Sequence, residues 1–262
     1  MIRTALAVAA LVFATPAGGD AARIYLGLLP VENPAHVHAE FGRARVRLVF
    51  VPDASRKASE LRQRFPSARE ESGALTVVAD TYAPSRQEPE PGDRAASFLI
   101  DFDEPDFVPL KKAIVERYGG QPSAADLRRF SGEHVVTKNY ARGFDIASRV
   151  ARRREGDCKE HAILMAALAR LFGKPARVVL GVVLIPAGDS TVAAGHAWTE
   201  IHEGGAWRAF DATDTPASAL RVPLSTLRDE GPGFAIGVLQ LLHPLDLAAV
   251  TLEPAVGMPA DP

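Results

Sequence analysis

The stretch from Gly156 to Pro175, GDCKEHAILMAALARLFGKP, constrains the fold most, because it predicts a single helix with sharply defined ends. Asp157 is a good N-cap residue, and Glu160 three positions later completes a capping box. The Gly-Lys-Pro sequence at the far end is a typical stop signal, so we predict a helix from Cys158 to Phe172. Its residues are apolar nearly all round, which is typical of a helix in the core.

The only cysteine of the chain, Cys158, falls in the first turn of this helix. Unpaired N–H groups and the positive end of the helix dipole favour a thiolate there, so we expect a lowered thiol pKa and a reactive sulfur. The alternative is a buried cysteine that packs as a small hydrophobe, which is common for free cysteines. The helix alone leaves both interpretations open.

Composition restricts the class of protein. The chain has 262 residues, of which 47% are hydrophobic and 24% charged, which is ordinary for a globular protein with a real core. The formal net charge is −2, and the one basic cluster, residues 149–154, is short. These values argue against nucleic acid as the partner.

The N-terminus has the pattern of a secretory signal. Arg3 precedes an apolar run from Ala5 to Ala14, and small residues follow as far as Ala22. We therefore predict a signal peptide over residues 1–22 and a periplasmic or secreted protein, in which one cysteine cannot form an internal disulfide.

A second apolar stretch, Phe234 to Leu252, is interrupted by Gln, His, Pro and Asp residues. We interpret it as buried strands rather than a membrane helix, so we do not expect an integral membrane protein.

Residues 23–105 predict a small, mostly β domain, because short aliphatic runs alternate with proline and glycine turns. The predicted strands are Ile24–Leu29, Val46–Val51, Leu75–Ala79 and Ala96–Phe102, with a short helix at Ser55–Phe65. After residue 105 the periodicity becomes helical, which predicts a second domain over residues 106–262. Its early helices are expected at Val108–Tyr118, after the cap Ser123 and at Phe130–Tyr140, and Asp145–Arg153 is expected to lead to the turn at Gly156.

A buried strand, Arg177–Ile185, is followed by a predicted hairpin of His196–His202 and Trp207–Asp211. With Glu203-Gly204 as the turn, His196 lies opposite Asp211; with Gly204-Gly205, the two lie on a diagonal. Both registers place the two side chains on one face of the sheet, because the side-chain period of a strand is two. A carboxylate so placed can orient an imidazole and stabilise its cation.

The residues REGDCKEHAILMAALARLFGKPARVVLG and GHAWTEIHEGGAWRAFDATD resemble the bacterial transglutaminase-like domain. The pattern of that family is G-D-C-x-E, then G-H-A-W, then W-x-x-x-D-x-T, and the three blocks occur here in that order between about residues 144 and 216. One departure is Ala212, which stands where the family commonly has proline.

This resemblance implies an α+β, papain-like fold in which the cysteine helix packs on an antiparallel sheet. It implies that Cys158 is the nucleophile, His196 the base and Asp211 the orienting acid of an acyl-transfer reaction at an amide. The Cys158 backbone N–H would stabilise the oxyanion, with a second donor from Asn139 or Tyr140. The substrate would be a peptide, a protein or a cell-wall amide, and either water or an amine could accept the acyl group.

Other histidines and acidic residues are weaker candidates for functional residues. His36 and His38, or Cys158 with His161, could in principle bind a metal, but no second ligand pair completes either set, so we expect no metal and no cofactor. If the hairpin has another register, Asp214 is the alternative acid that would orient His196. The competing function is a catalytically silent binding or assembly module of the cell envelope that docks through residues 23–105.

Overall fold

The computed structural model describes residues 27–29, 31–32, 45–50, 62, 65–66, 68–71, 74–78, 84–139, 144–187, 190–215, 219–227 and 247–253. The helices are α1 (Phe107–Tyr118), α2 (Ala124–His134), α3 (Ala147–Arg153) and α4 (Cys158–Leu171). The strands are β1 (Gly27–Leu29), β2 (Val31–Glu32), β3 (Arg45–Phe50), β4 (Arg69–Glu71), β5 (Ala74–Val78), β6 (Thr137–Lys138), β7 (Glu155–Gly156), β8 (Ala176–Ala187), β9 (Ser190–Glu203), β10 (Ala206–Phe210), β11 (Leu220–Thr226) and β12 (Leu247–Glu253).

The central sheet is antiparallel and has the strand order β1-β9-β8-β11, with β10 also paired to β9. Ala206 pairs with Glu203, so the hairpin turn is Gly204-Gly205, the second of the two predicted registers. Both turn residues have positive φ, 60° and 76°, a conformation that glycine adopts without a steric penalty.

Helix α4 lies against β8 and β9 and forms the centre of the core. Every residue of α4 except Leu171 is buried, as its apolar sequence predicted. The Thr199 hydroxyl donates a hydrogen bond of 2.8 Å to the Ala162 carbonyl, which ties β9 to the first half of the helix. The predicted α+β arrangement, a cysteine helix on an antiparallel sheet, is therefore confirmed.

Two local predictions are wrong. The helix expected at Phe130–Tyr140 is the end of α2, which stops at His134 before β6 pairs with β7. The strand expected at Ala96–Phe102 is irregular, because the Ser97 hydroxyl accepts the Ile100 N–H and the chain turns. Only part of that apolar run is buried there: Phe98 is 58% exposed, whereas Leu99 is 1% exposed.

A second sheet has the order β2-β12-β3-β5-β4. Its strand β12 comes from the C-terminus, a region that the sequence assigned to the second domain, and it lies between β2 and β3. Strand β1, assigned to the first domain, instead pairs with β9 of the central sheet. The boundary predicted near residue 105 therefore separates strands that share a sheet, because long-range pairing leaves little trace in local sequence.

Several predictions lie outside the described residues: the signal peptide at 1–22, His36 and His38, Tyr140, and most of Ser55–Phe65 and Phe234–Leu252. Within the described part of the chain, none of the helices is both long enough and apolar enough to cross a membrane.

Candidate active site

The site forms where one edge of β9 lacks a strand partner among the described residues. Strand β1 pairs with residues 193–195 of β9, and β10 pairs with residues 199–203. Among the described strands, β8 is the partner of residues 196–198, on the opposite side of β9.

Cys158 lies near this segment, because the backbone N–H of Ala197 has a small lowering effect on the pKa of its thiol. Asp157 holds the start of α4 in place: its carboxylate accepts the Lys159 N–H at 3.0 Å, while Glu160 accepts the Asp157 N–H at 2.9 Å. The predicted capping box is thus present, and it fixes the first turn of α4, in which Cys158 lies.

The environment of the thiol differs from the sequence-based expectation. Burial raises the pKa of Cys158 well above its ordinary value, and the charge of Asp157 raises it further, against smaller lowering effects of Lys159 and the Ala197 N–H. The expected lowering is therefore wrong. The reason is that the side chain is 0% exposed and that the cap itself places a carboxylate beside the sulfur.

His196 and Asp211 are in direct contact, as the hairpin geometry predicted. Nε2 of His196 lies 2.9 Å from Oδ2 of Asp211, and both side chains are buried. Because a carboxylate only accepts, Nε2 carries the hydrogen, which leaves Nδ1 as the basic nitrogen of the neutral ring. The Trp198 ring stacks beside His196 with centroids 6.2 Å apart and covers the pair on its own face of β9.

Asp211 is held by a network that the sequence did not reveal. Its Oδ1 accepts the backbone N–H of Thr213 at 3.0 Å and the Thr213 hydroxyl at 2.7 Å. Its Oδ2 accepts two hydrogen bonds from Arg221, from Nε at 3.1 Å and Nη2 at 2.8 Å. Arg128 of α2 donates to the Asp211 backbone carbonyl at 3.2 Å.

These contacts decide the ionisation of Asp211. Burial alone would raise its pKa, but the charge and hydrogen bond of His196, the charge of Arg221 and the Thr213 hydroxyl together hold the pKa well below its ordinary value. Asp211 is therefore a fixed anion, the state required to orient and stabilise an imidazolium.

Two close approaches of backbone and side chain shape this site. Gly181 is the cross-strand partner of His196, and a Cβ there would lie 2.5 Å from Cη2 of Trp198 and 2.2 Å from the Val222 carbonyl oxygen. Gly132 of α2 lies against the loop after β10, where a Cβ would lie 2.7 Å from the Ala212 carbonyl oxygen. Both positions require glycine for the observed packing.

Comparison with known proteins agrees with this geometry. Residues 124–212, from the start of α2 to the residue after Asp211, match the transglutaminase-like superfamily. This segment of the chain, about a third of its length, is therefore similar to a transglutaminase-like domain. No match was found among curated proteins.

Among solved structures, the chain is similar to a candidate cysteine protease of Cytophaga hutchinsonii, with 17% identity, a TM-score of 0.42, and coverage of 87% of this chain and 83% of that one. It is also similar to the periplasmic domain of TgpA from Pseudomonas aeruginosa in complex with ethylmercury. That match has 22% identity and a TM-score of 0.31, and it covers 53% of this chain and 54% of the other.

The remaining candidate residues make other contacts. Asp214 is exposed and forms an ion pair with Lys138 at 3.8 Å, whereas Asp211 occupies the acid position at His196. His161 is buried and its Nδ1 lies 2.7 Å from the Asp157 carbonyl oxygen. Its pKa is lowered, first by burial, and the described residues contain no cluster of three potential metal ligands.

Asn139, one of two expected oxyanion donors, lies at the N-terminal side of the cysteine helix. Its backbone N–H donates to the Gly156 carbonyl at 3.2 Å, and it lines a small pocket together with Asp145, Glu155, Gly156 and Glu160. Burial and the charge of Asp157 raise the pKa of Glu160 to about 7. The role of Asn139 in catalysis stays a prediction.

Proposed function

We propose that this protein is an exported cysteine-dependent amide hydrolase or acyltransferase that works through a thioester on Cys158. The observation that supports the proposal is the buried contact of 2.9 Å between Nε2 of His196 and Oδ2 of Asp211, with His196 next in sequence to Ala197, whose backbone N–H affects the pKa of the Cys158 thiol. A nucleophile, a base oriented by an acid, and a helix N-terminus are the parts that acyl transfer needs.

The first half of the reaction forms the thioester. Nδ1 of His196 takes the proton of the Cys158 thiol as the sulfur attacks the carbonyl carbon of the substrate amide. The carbonyl π electrons move to oxygen, and the Cys158 backbone N–H, at the start of α4, is one donor that stabilises the oxyanion. When the oxyanion collapses, the C–N bond breaks and the imidazolium gives its proton to the leaving amine.

The second half releases the acyl group. Water or an amine, activated by Nδ1 of His196, attacks the thioester carbonyl, the C–S bond breaks, and the thiolate recovers the proton from the imidazolium. Water gives net hydrolysis and an amine gives transamidation.

The high pKa of the Cys158 thiol fits this scheme. Burial raises the pKa of the thiol, so the thiol needs a base during attack, and we propose His196 as that base. Removing His196 should therefore affect reactivity strongly, whereas a thiol activated by the helix alone would react without it.

The substrate we propose is a peptide, protein or cell-wall amide in the periplasm or outside the cell. The export part of the proposal rests on the predicted signal peptide at residues 1–22, and we propose no nucleic acid partner, cofactor or metal.

Trapping the acyl-enzyme tests this function. Wild-type protein, Cys158→Ala and His196→Ala are incubated with a cell-envelope extract and analysed by intact mass and peptide mapping. We expect an acyl adduct on Cys158 of the wild type that hydroxylamine removes, no adduct on Cys158→Ala, and a strongly reduced adduct on His196→Ala. An added primary amine that appears joined to the released fragment identifies transamidation.

The competing function, a catalytically silent binding or assembly module, is favoured by one observation: the Cys158 and His196 side chains are both 0% exposed. Folded wild-type protein without any adduct, whose thiol reacts with iodoacetamide no faster than that of His196→Ala at any pH, would support this alternative and contradict the enzyme.

A further inference from the structure

Arg221 of β11 contacts the oxygen of Asp211 that also contacts His196. Its Nε and Nη2 lie 3.1 and 2.8 Å from Oδ2, and the His196 Nε2 lies 2.9 Å from the same atom. Its third nitrogen, Nη1, donates to the Ala219 carbonyl at 3.1 Å, which fixes the plane of the guanidinium. Arg221 therefore reaches Asp211 in one defined orientation.

Sharing one carboxylate oxygen has an electrostatic consequence. A guanidinium carries its charge at every pH of interest, so it neutralises part of the Asp211 charge permanently. An imidazolium at His196 then gains less from Asp211 than it would from an unshared carboxylate, and it is repelled by the neighbouring cation. Thr213 also stabilises the Asp211 carboxylate, through hydrogen bonds to Oδ1, but it carries no charge that would repel an imidazolium.

We propose that Arg221 is a positioning residue that holds the Asp211 carboxylate and limits how strongly Asp211 retains the proton on His196. This inference rests on the proposed function, in which Nδ1 of His196 must be neutral to accept the thiol proton. Without Arg221, Asp211 would stabilise the imidazolium more, and His196 would lose its base form over a wider range of acidic pH.

The other charged groups near this pair come from several elements. His161 on α4 is affected by the charges of Asp211, Lys138 and Asp214, and Arg128 on α2 contacts the Asp211 backbone carbonyl, whereas Asp157, Lys159 and Glu160 on α4 act on Cys158. All of these residues are the same in the variants compared, so the variants differ only at the substituted position.

The test compares Arg221→Gln, which removes the charge, with Arg221→Lys, which keeps it. Arg208→Gln on the exposed face of β10 is the matched control for loss of one cation. The readout is the pH midpoint of the His196 ring signals by NMR, measured in a Cys158→Ala background so that the thiol does not contribute. It needs no substrate, so it is independent of whether the protein turns over.

We expect the His196 midpoint to rise by about one pH unit in Arg221→Gln and to stay near the parent value in Arg221→Lys and Arg208→Gln. In proteins that retain Cys158, the acid limb of its alkylation rate should move in the same direction. A structural role alone would lower the thermal stability of Arg221→Gln and leave the midpoint unchanged, which would overturn the proposal.

A second measurement uses the unmodified protein in case Arg221→Gln does not fold. Because Arg221 and His196 share Oδ2, the ¹⁵N signal of Arg221 Nε should titrate with the same midpoint as the His196 ring. An Arg221 signal that does not respond when His196 titrates would contradict the shared-oxygen arrangement. If these results hold but no acyl adduct forms on Cys158, only the proposed function fails.

Discussion

The substitution Gly181→Ala tests the packing behind His196. Gly181 is the cross-strand neighbour of His196, so an added methyl group points to the same face of the sheet. There it would lie 2.2 Å from the Val222 carbonyl oxygen and 2.5 Å from Cη2 of Trp198. Trp198 is buried, and Val222 is held by its pairing with Val182.

The loss of stability depends on whether the clashing atoms can move. Overpacking a core by one methyl group typically costs about 1–3 kcal/mol. One of the two clashes here involves the backbone of β11, which cannot shift without weakening its pairing with β8, so we expect the upper end, about 3 kcal/mol. For a chain of this size that corresponds to a fall in Tm of about 6–12 °C.

Urea unfolding followed by tryptophan fluorescence measures this loss, since both tryptophans, Trp198 and Trp207, are buried. Gly120→Ala is the matched control, because nothing lies within 4 Å of its added Cβ and its φ is not positive. We also expect slower alkylation of Cys158 in Gly181→Ala, as Trp198 is pushed toward His196. A Gly181→Ala protein as stable as Gly120→Ala would refute this account of the packing.

Three further predictions concern the support of Asp211 and Cys158. Gly132→Ala should destabilise the protein by about 1–3 kcal/mol, because its Cβ would lie 2.7 Å from the Ala212 carbonyl oxygen. It should also weaken the contact between Asp211 and His196. Urea unfolding of Gly132→Ala, compared with Gly120→Ala, measures the loss of stability. Asp211→Asn should lower the free energy of unfolding by about 3 kcal/mol at pH 7. It should also reduce the loss of stability in acid. The reason is that the lowered pKa of Asp211 adds stability above about pH 4, and this stability disappears as pH falls through the folded-state pKa. Equal acid sensitivity in both proteins would contradict that assignment. The pKa of Glu160 is raised to about 7, so the free energy of unfolding should fall by up to about 3 kcal/mol as pH rises from 4 to 8. Glu160→Gln should remove most of this pH dependence, which unfolding curves measured across the same pH range will show.

The sequence predicted the elements whose signals are local. The capping box at Asp157 and Glu160 and the glycine turn after β9 each occupy a few consecutive residues, and both appear as expected. The contact of His196 with Asp211 followed from the period of a strand and did not require the register to be known.

Predictions failed where distant parts of the chain decide the structure. Strand β12 joins β3 across about 200 residues, and no periodicity near either strand indicates the partner. Arg221 was missed for the same reason, because it reaches Asp211 from another strand. Thr213 could have been identified from the sequence as a partner of Asp211, since it is the last residue of the D-x-T pattern. The pKa of Cys158 was misjudged because burial depends on tertiary packing, which the helix alone does not show.

The most direct test of the central claim is the pH dependence of Cys158 alkylation by iodoacetamide in wild-type protein and in His196→Ala. If His196 takes the thiol proton, the wild type should react well below an ordinary thiol pKa of about 8.5, with an acid limb set by the imidazole. His196→Ala should react only at higher pH, since burial keeps the thiol protonated. Two identical profiles that both follow an ordinary thiol would contradict a catalytic role for Cys158 and His196.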